Sequence, residues 1–131
     1  MKLNHIGFGV TDVTGTVEML EHYFGMLRAP ETPFSTKMAF MLDDDGSLIS
    51  FFKKEDAVYP EIFHIGFMQD NTEKVYALHE KLKAGGMNPG DIREEFGRMT
   101  FYTKAPGNFV IEVNSLIEAA RPQLKSQVND N

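Results

Sequence analysis

The sequence predicts an α+β protein built from two βαβββ modules, and three observations predict it. NHIGFGV at 4–10 is echoed by FHIGFMQ at 63–69, which sets His5 against His64. Each phrase leads through a polar stretch into apolar residues spaced i, i+3, i+7: Val17, Leu20 and Phe24, then Val75, Leu78 and Leu82. KMAFMLDDDGSLISFF at 37–52 is echoed by RMTFYTKAPGNFVIEV at 98–113, with Gly46 set on Gly107. Both are apolar runs joined by a turn, and a repeat of this length signals duplicated architecture.

In chain order, the first strand carries His5, Gly7 and Gly9 on one face and Ile6, Phe8 and Val10 on the other, the apolar set packing under the helix that follows. That helix stops at Gly25. A strand is expected at 32–36, followed by the 37–52 hairpin, whose Asp43-Asp44-Asp45-Gly46 makes the turn. The triple aspartate lacks the downstream acid of a calcium loop. DAVYPEI at 56–62 is a short linker. The second module repeats the order: His64, Gly66 and Met68 opposite Ile65 and Phe67, a helix ending at Gly85-Gly86, a strand at 91–96 and the closing hairpin. The modules span about 1–58 and 59–117 of one domain, 1–117. Residues 118–131 follow as a short helix and tail, signalled by Ser115-Leu-Ile-Glu118 and limited by Pro122.

Of 131 residues, 42% are hydrophobic and 24% charged, an ordinary globular balance. A net charge of -6, with no clustered Lys and Arg in the sequence, argues against binding to nucleic acid or anionic membrane. No apolar run approaches the ~18 residues of a spanning helix, and no signal-peptide pattern opens the chain, so a cytoplasmic location is the default. With no cysteine, any metal must be held by His, Asp or Glu.

Glu112, flanked by Val110, Ile111 and Val113, is the residue that most demands a partner, because a carboxylate in an apolar strand is costly unless paired. His5 and His64 are the candidates. Two imidazoles and a carboxylate suit a divalent transition metal with open positions. Taken singly, each histidine is equally served by a backbone carbonyl, and Glu112 by Tyr102 or Arg98. Thr100, Tyr102 and Lys104 alternate onto one face that Glu112 can share. His22 and His79 fall in the helices, exposed; the methionines are core filler first, with Met41 and Met68 able to line a pocket.

The paired modules, HIGF opening each, and FYTKAPGNFVIEV closing the second resemble the vicinal oxygen chelate superfamily over roughly residues 1–115. That group includes glyoxalase I, extradiol dioxygenases, methylmalonyl-CoA epimerase, fosfomycin-resistance enzymes and bleomycin-resistance proteins. The resemblance implies a curved mixed sheet forming a cup, with metal ligands at His5, Phe51, His64 and Glu112. Phe51, counted from Gly46, cannot ligate, and Ser50 beside it is expected on the opposite face, which leaves His5, His64 and Glu112. Tyr102 matches a catalytic hydroxyl of the family. Thr100 and Tyr102 match phosphonate-pocket hydroxyls of the fosfomycin branch, and Arg121 matches its C-terminal arginine. Lys104 and Arg98 are further anion contacts. Against that branch, Gly7 stands where its thiol transferases have threonine; against the dioxygenases, IREEFGRM at 92–99 lacks their histidine.

The resemblance therefore implies a divalent-metal enzyme that chelates a small substrate through vicinal oxygens. The lyase, thiol transferase and dioxygenase branches are not separated, nor are Fe, Mn, Zn and Ni. A homodimer is implied, with a metal site that can be shared between chains. The alternative is a metal-free protein of the bleomycin-resistance type, sequestering a drug or metabolite, and the net charge would suit a cationic one.

Overall fold

The computed structural model describes residues 1–117. The element order is β1 (His5–Val10), α1 (Val13–Phe24), β2 (Leu27–Arg28), β3 (Met38–Leu42), β4 (Leu48–Lys53), β5 (His64–Met68), α2 (Thr72–Ala84), β6 (Arg93–Glu95), β7 (Arg98–Lys104) and β8 (Val110–Leu116). This is βαβββ twice, in two mixed four-stranded sheets ordered β1-β4-β3-β2 and β5-β8-β7-β6. In each sheet the first strand of the module runs parallel to its last, and the hairpins are antiparallel. The described chain divides into two compact units, Met1–Phe63 with Ala105–Phe109, and His64–Lys104 with the residues from Val110 to the end of β8.

In the first unit, Asp12 caps α1 by accepting from the Gly15 N–H at 2.9 Å, and Gly25 ends it at φ 66°, a left-handed stop that glycine adopts without steric cost. Val13, Val17 and Leu20 are buried, as are Ala39, Met41 and Phe51 on the strands. Phe8 meets Phe51, Phe63 and Phe109 edge-on at 5.3, 5.6 and 5.0 Å. The 56–62 linker is tied down: Tyr59 donates to the Gly9 carbonyl at 2.6 Å and stacks on Phe63. Two expectations are corrected. The short strand of this module lies at Leu27–Arg28, directly after the helix, while 32–36 is irregular. Ile6 is 45% exposed, because edge strand β1 becomes covered only toward Val10.

In the second unit, Asn71 caps α2, and Val75, Leu78 and Leu82 are its buried stripe. His79 packs edge-on against Phe101 at 5.0 Å, which identifies the helix-covered side of the sheet as that of Phe101, Thr103, Ile111 and Val113. His79, expected to be exposed, is half-buried, its Nε2 lying 2.9 Å from the Gly90 carbonyl. The other side of the sheet carries Thr100, Tyr102, Glu112 and Asn114.

Register overturns one equivalence read from the glycines. Gly7 pairs with Ser50 in the first sheet, and Gly66 pairs with Glu112 in the second. A Cβ on Gly7 would meet Ser50 Oγ at 2.9 Å, and one on Gly66 would meet Glu112 Oε2 at 3.2 Å. Ser50, not Phe51, is therefore the counterpart of Glu112. The turns explain the slip. They are of equal length, 43–47 and 105–109, and make the same hydrogen bonds: Asp43 N to Ser47 O and Gly46 N to Asp43 O, then Ala105 N to Phe109 O and Asn108 N to Ala105 O. The left-handed position is Gly46 (φ 80°) in one and Asn108 (φ 67°) in the other. Asparagine tolerates that region, so Gly107 lies one residue out of phase with Gly46. Phe51 is fully buried against Phe8 and Phe109, where a phenylalanine contributes about 1.5–3 kcal/mol.

Candidate metal and substrate site

The open side of the second sheet forms a cleft of about 470 Å³. Alternation places its residues. β8 presents Glu112 and Asn114, β7 presents Arg98, Thr100 and Tyr102, β5 presents His64, Gly66 and Met68, the end of β6 adds Glu95, and the β6–β7 turn adds Phe96.

Glu112 is the centre of this surface. Its Oε1 accepts from the Tyr102 hydroxyl at 3.0 Å, and its Oε2 accepts from Asn114 Nδ2 at 2.8 Å. A hydrogen bond to a charged group stabilises by about 1.5–3 kcal/mol, so two donors offset much of the cost of drawing the carboxylate partly out of water. His64 Nε2 lies 3.9 Å from Oε1, and its ring stands edge-on to Tyr102 at 5.8 Å. The absence of a side chain at Gly66 leaves Oε2 its room.

Burial, then the hydrogen bond and charge of Glu112, then the charge and a 3.5 Å hydrogen bond of Glu95, push the Tyr102 phenol up to about 12. It is a neutral hydrogen-bond donor throughout the physiological range.

The structure brings together His64, Glu112, Tyr102 and Thr100 of the residues singled out from the sequence, with Arg98. Lys104 is exposed at the end of β7 and does not line the cleft. Arg121 lies outside the described residues. His5 belongs to the first unit, exposed on β1, with Nδ1 2.8 Å from Asn4 Oδ1. Among the described residues no three His, Asp or Glu side chains form one metal-holding group. Asn114, Glu95 and Phe96 were missed. Asn114 was readable, since it lies two residues beyond Glu112 on the same strand and therefore on the same face.

The donor chemistry fits a divalent transition ion at two positions. Donors about 2.1 Å from one ion lie no more than about 4.2 Å apart, so the 3.9 Å between His64 Nε2 and Glu112 Oε1 permits both to hold it. The hydrogen bonds from Tyr102 and Asn114 orient the carboxylate as outer partners commonly orient ligands.

The sequence and the fold match a known class. Residues 2–113 match the family described as Glyoxalase/Bleomycin resistance protein/Dioxygenase superfamily, and the chain belongs to that superfamily. Among solved structures, a possible glyoxalase from Bacillus cereus is 34% identical, with a TM-score of 0.79 over 86% of this chain and 97% of that one. A genomically encoded fosfomycin resistance protein from Listeria monocytogenes is 22% identical, with a TM-score of 0.75 over 92% and 98%. A mutant of that protein, in complex with Mn(II) and 1S,2S-dihydroxypropylphosphonic acid, is 24% identical, with a TM-score of 0.73 over 92% and 95%. At those identities the Listeria structures establish a shared fold alone. Comparison with curated proteins returned no match. Among the described residues no helix is long and apolar enough to cross a membrane.

Proposed function

We propose that this protein is a divalent-metal-dependent enzyme that binds a small substrate through neighbouring oxygens, with His5, His64 and Glu112 as metal ligands. The observation that carries the reading is the placement of Glu112: a carboxylate facing His64 at 3.9 Å, both oxygens held by donors, on the wall of an open cleft. His5 is the third ligand by the repeat, since it occupies in β1 the place His64 occupies in β5. We assign it from the same chain or from a second copy in a homodimer. Ser50, the counterpart of Glu112, offers a hydroxyl and not a carboxylate, so the set stays at three strong donors.

A bound ion supplies Lewis-acid stabilisation of oxyanion or enolate charge, or a centre for dioxygen chemistry. The chain's own residues do the rest. Tyr102, protonated at neutral pH, donates to a substrate oxygen or returns its hydrogen bond to Glu112. Arg98 and Thr100 line the same cleft and suit a carboxylate or phosphonate on the substrate. Glu112, occupied as a ligand, is not the general base.

Elemental analysis of protein purified without chelator tests the proposal. The wild type is expected to carry about one transition ion per site, and His64→Ala and Glu112→Gln to lose most of it; equal metal in all three would sink the reading. A second reading has its own support, since Glu95 and Glu112 beside exposed Phe96 and Met68 suit an apolar cation. Metal-free protein whose Tm rises with bleomycin-like cations would favour that metal-free binder.

A further inference from the structure

Phe96 stands where neither folding nor metal chemistry calls for an aromatic ring. It is the first of two residues turning β6 into β7 inside the register pair Glu95–Arg98. Positive φ at both, 49° at Phe96 and 72° at Gly97, is the type I′ pattern. Asn, Asp or Gly fill that first position with little strain, whereas a bulky L residue there is disfavoured. Burial does not compensate, because the ring is 95% exposed. The ring does, however, line the cleft that holds Glu112. From the opposite edge of the sheet, β5 presents Met68 to the same cleft, 71% exposed. Two large apolar side chains thus border a floor made polar by Glu112 and Tyr102.

We propose that Phe96 is a specificity-determining residue: with Met68 it takes the aromatic or hydrocarbon body of a small amphiphile whose neighbouring oxygens face His64 and Glu112. The placing of the oxygens rests on the metal reading above; the apolar contact rests on Phe96 and Met68. The thioether and the ring are suited to an apolar, preferably aromatic, body. A substrate that covers Phe96 gains the burial that the free chain forgoes.

The test uses two probes that share neighbouring oxygens and differ in a ring, phenylglyoxylate and glyoxylate. Each is titrated calorimetrically into wild type and Phe96→Asn, with Mn(II) and after chelator treatment. Phe96→Asn restores the residue pair that a type I′ turn prefers, so its Tm is expected to match or exceed the wild type by a few degrees. The wild type is expected to prefer phenylglyoxylate by about tenfold, and the variant to lose that preference while binding glyoxylate unchanged. Absence of a ring preference in the wild type, or its survival in the variant, overturns the proposal. A lower Tm or a changed oligomeric mass in the variant also overturns it, since Phe96 would then serve folding or assembly. A ring preference without Mn(II) uptake sinks the metal reading and leaves Phe96 standing; Mn(II) uptake without a ring preference does the reverse.

Discussion

Removing the charge of Glu112 is expected to pull the Tyr102 phenol down toward its ordinary range. In the wild type that phenol is raised from 10.0 to about 12, an about hundredfold weakening as an acid. Burial is the largest cause and survives the substitution Glu112→Gln. The hydrogen bond and charge of Glu112 come next, and Glu95 contributes last. The variant's phenol therefore falls partway and stays above the ordinary value. The sequence has four tyrosines, so phenolate absorbance near 295 nm, followed in chelator-treated protein, resolves a late-titrating component in the wild type that moves earlier in Glu112→Gln. Stability follows the same sign. A phenol whose folded pKa lies above its unfolded value contributes stability that is complete below pH 10 and lost as pH rises through about 12. Tyr102→Phe lacks this alkaline loss. A wild type whose tyrosines titrate together, or a late component untouched by Glu112→Gln, would refute the geometry.

Gly66→Ala places a Cβ 3.2 Å from Glu112 Oε2, close enough to push the carboxylate by a few tenths of an ångström. Metal affinity is expected to fall about tenfold or more, as when the support of a ligand is lost, while circular dichroism stays unchanged. Asn108→Gly is expected to cost roughly 1 kcal/mol, the hydrogen bond from its Nδ2 to the Ala57 carbonyl at 2.7 Å, whereas Asn108→Val adds the strain of a β-branched residue at φ 67° and costs roughly 2–4 kcal/mol in urea unfolding. Gly107→Ala drives a Cβ to 2.7 Å from Val10 Cβ and is expected to destabilise by about 1–3 kcal/mol, measured the same way.

The architecture was legible because a repeat leaves paired signals. HIGF twice and two helical stripes of i, i+3, i+7 residues locate β1, α1, β5 and α2. Alternation put Thr100 and Tyr102 on one face of their strand and left the phase of Glu112 across the turn open; the register pairs Tyr102 directly with Glu112. What failed was phase across a turn. Gly46 and Gly107 look equivalent by residue type, yet the conformation that matters, a left-handed φ, passes to Asn108 in the second turn. A slip of one residue exchanges the faces of a strand, which is how a buried Phe51 came to stand in for Ser50. Phe96 escaped notice for the opposite reason: Phe-Gly is an unusual pair for a two-residue turn, and its exposure is visible only in the fold. The proposed partnership of His5 with His64 and Glu112 is a long-range matter that neither spacing nor local register encodes.

That partnership is tested most directly by pulsed electron paramagnetic resonance of the Mn(II)-loaded protein, which counts imidazole nitrogens on the ion. Two nitrogens are expected in the wild type, and one in each of His5→Ala and His64→Ala. A wild-type ion with no imidazole, or one whose count is unchanged by either substitution, would contradict the ligand set of His5, His64 and Glu112.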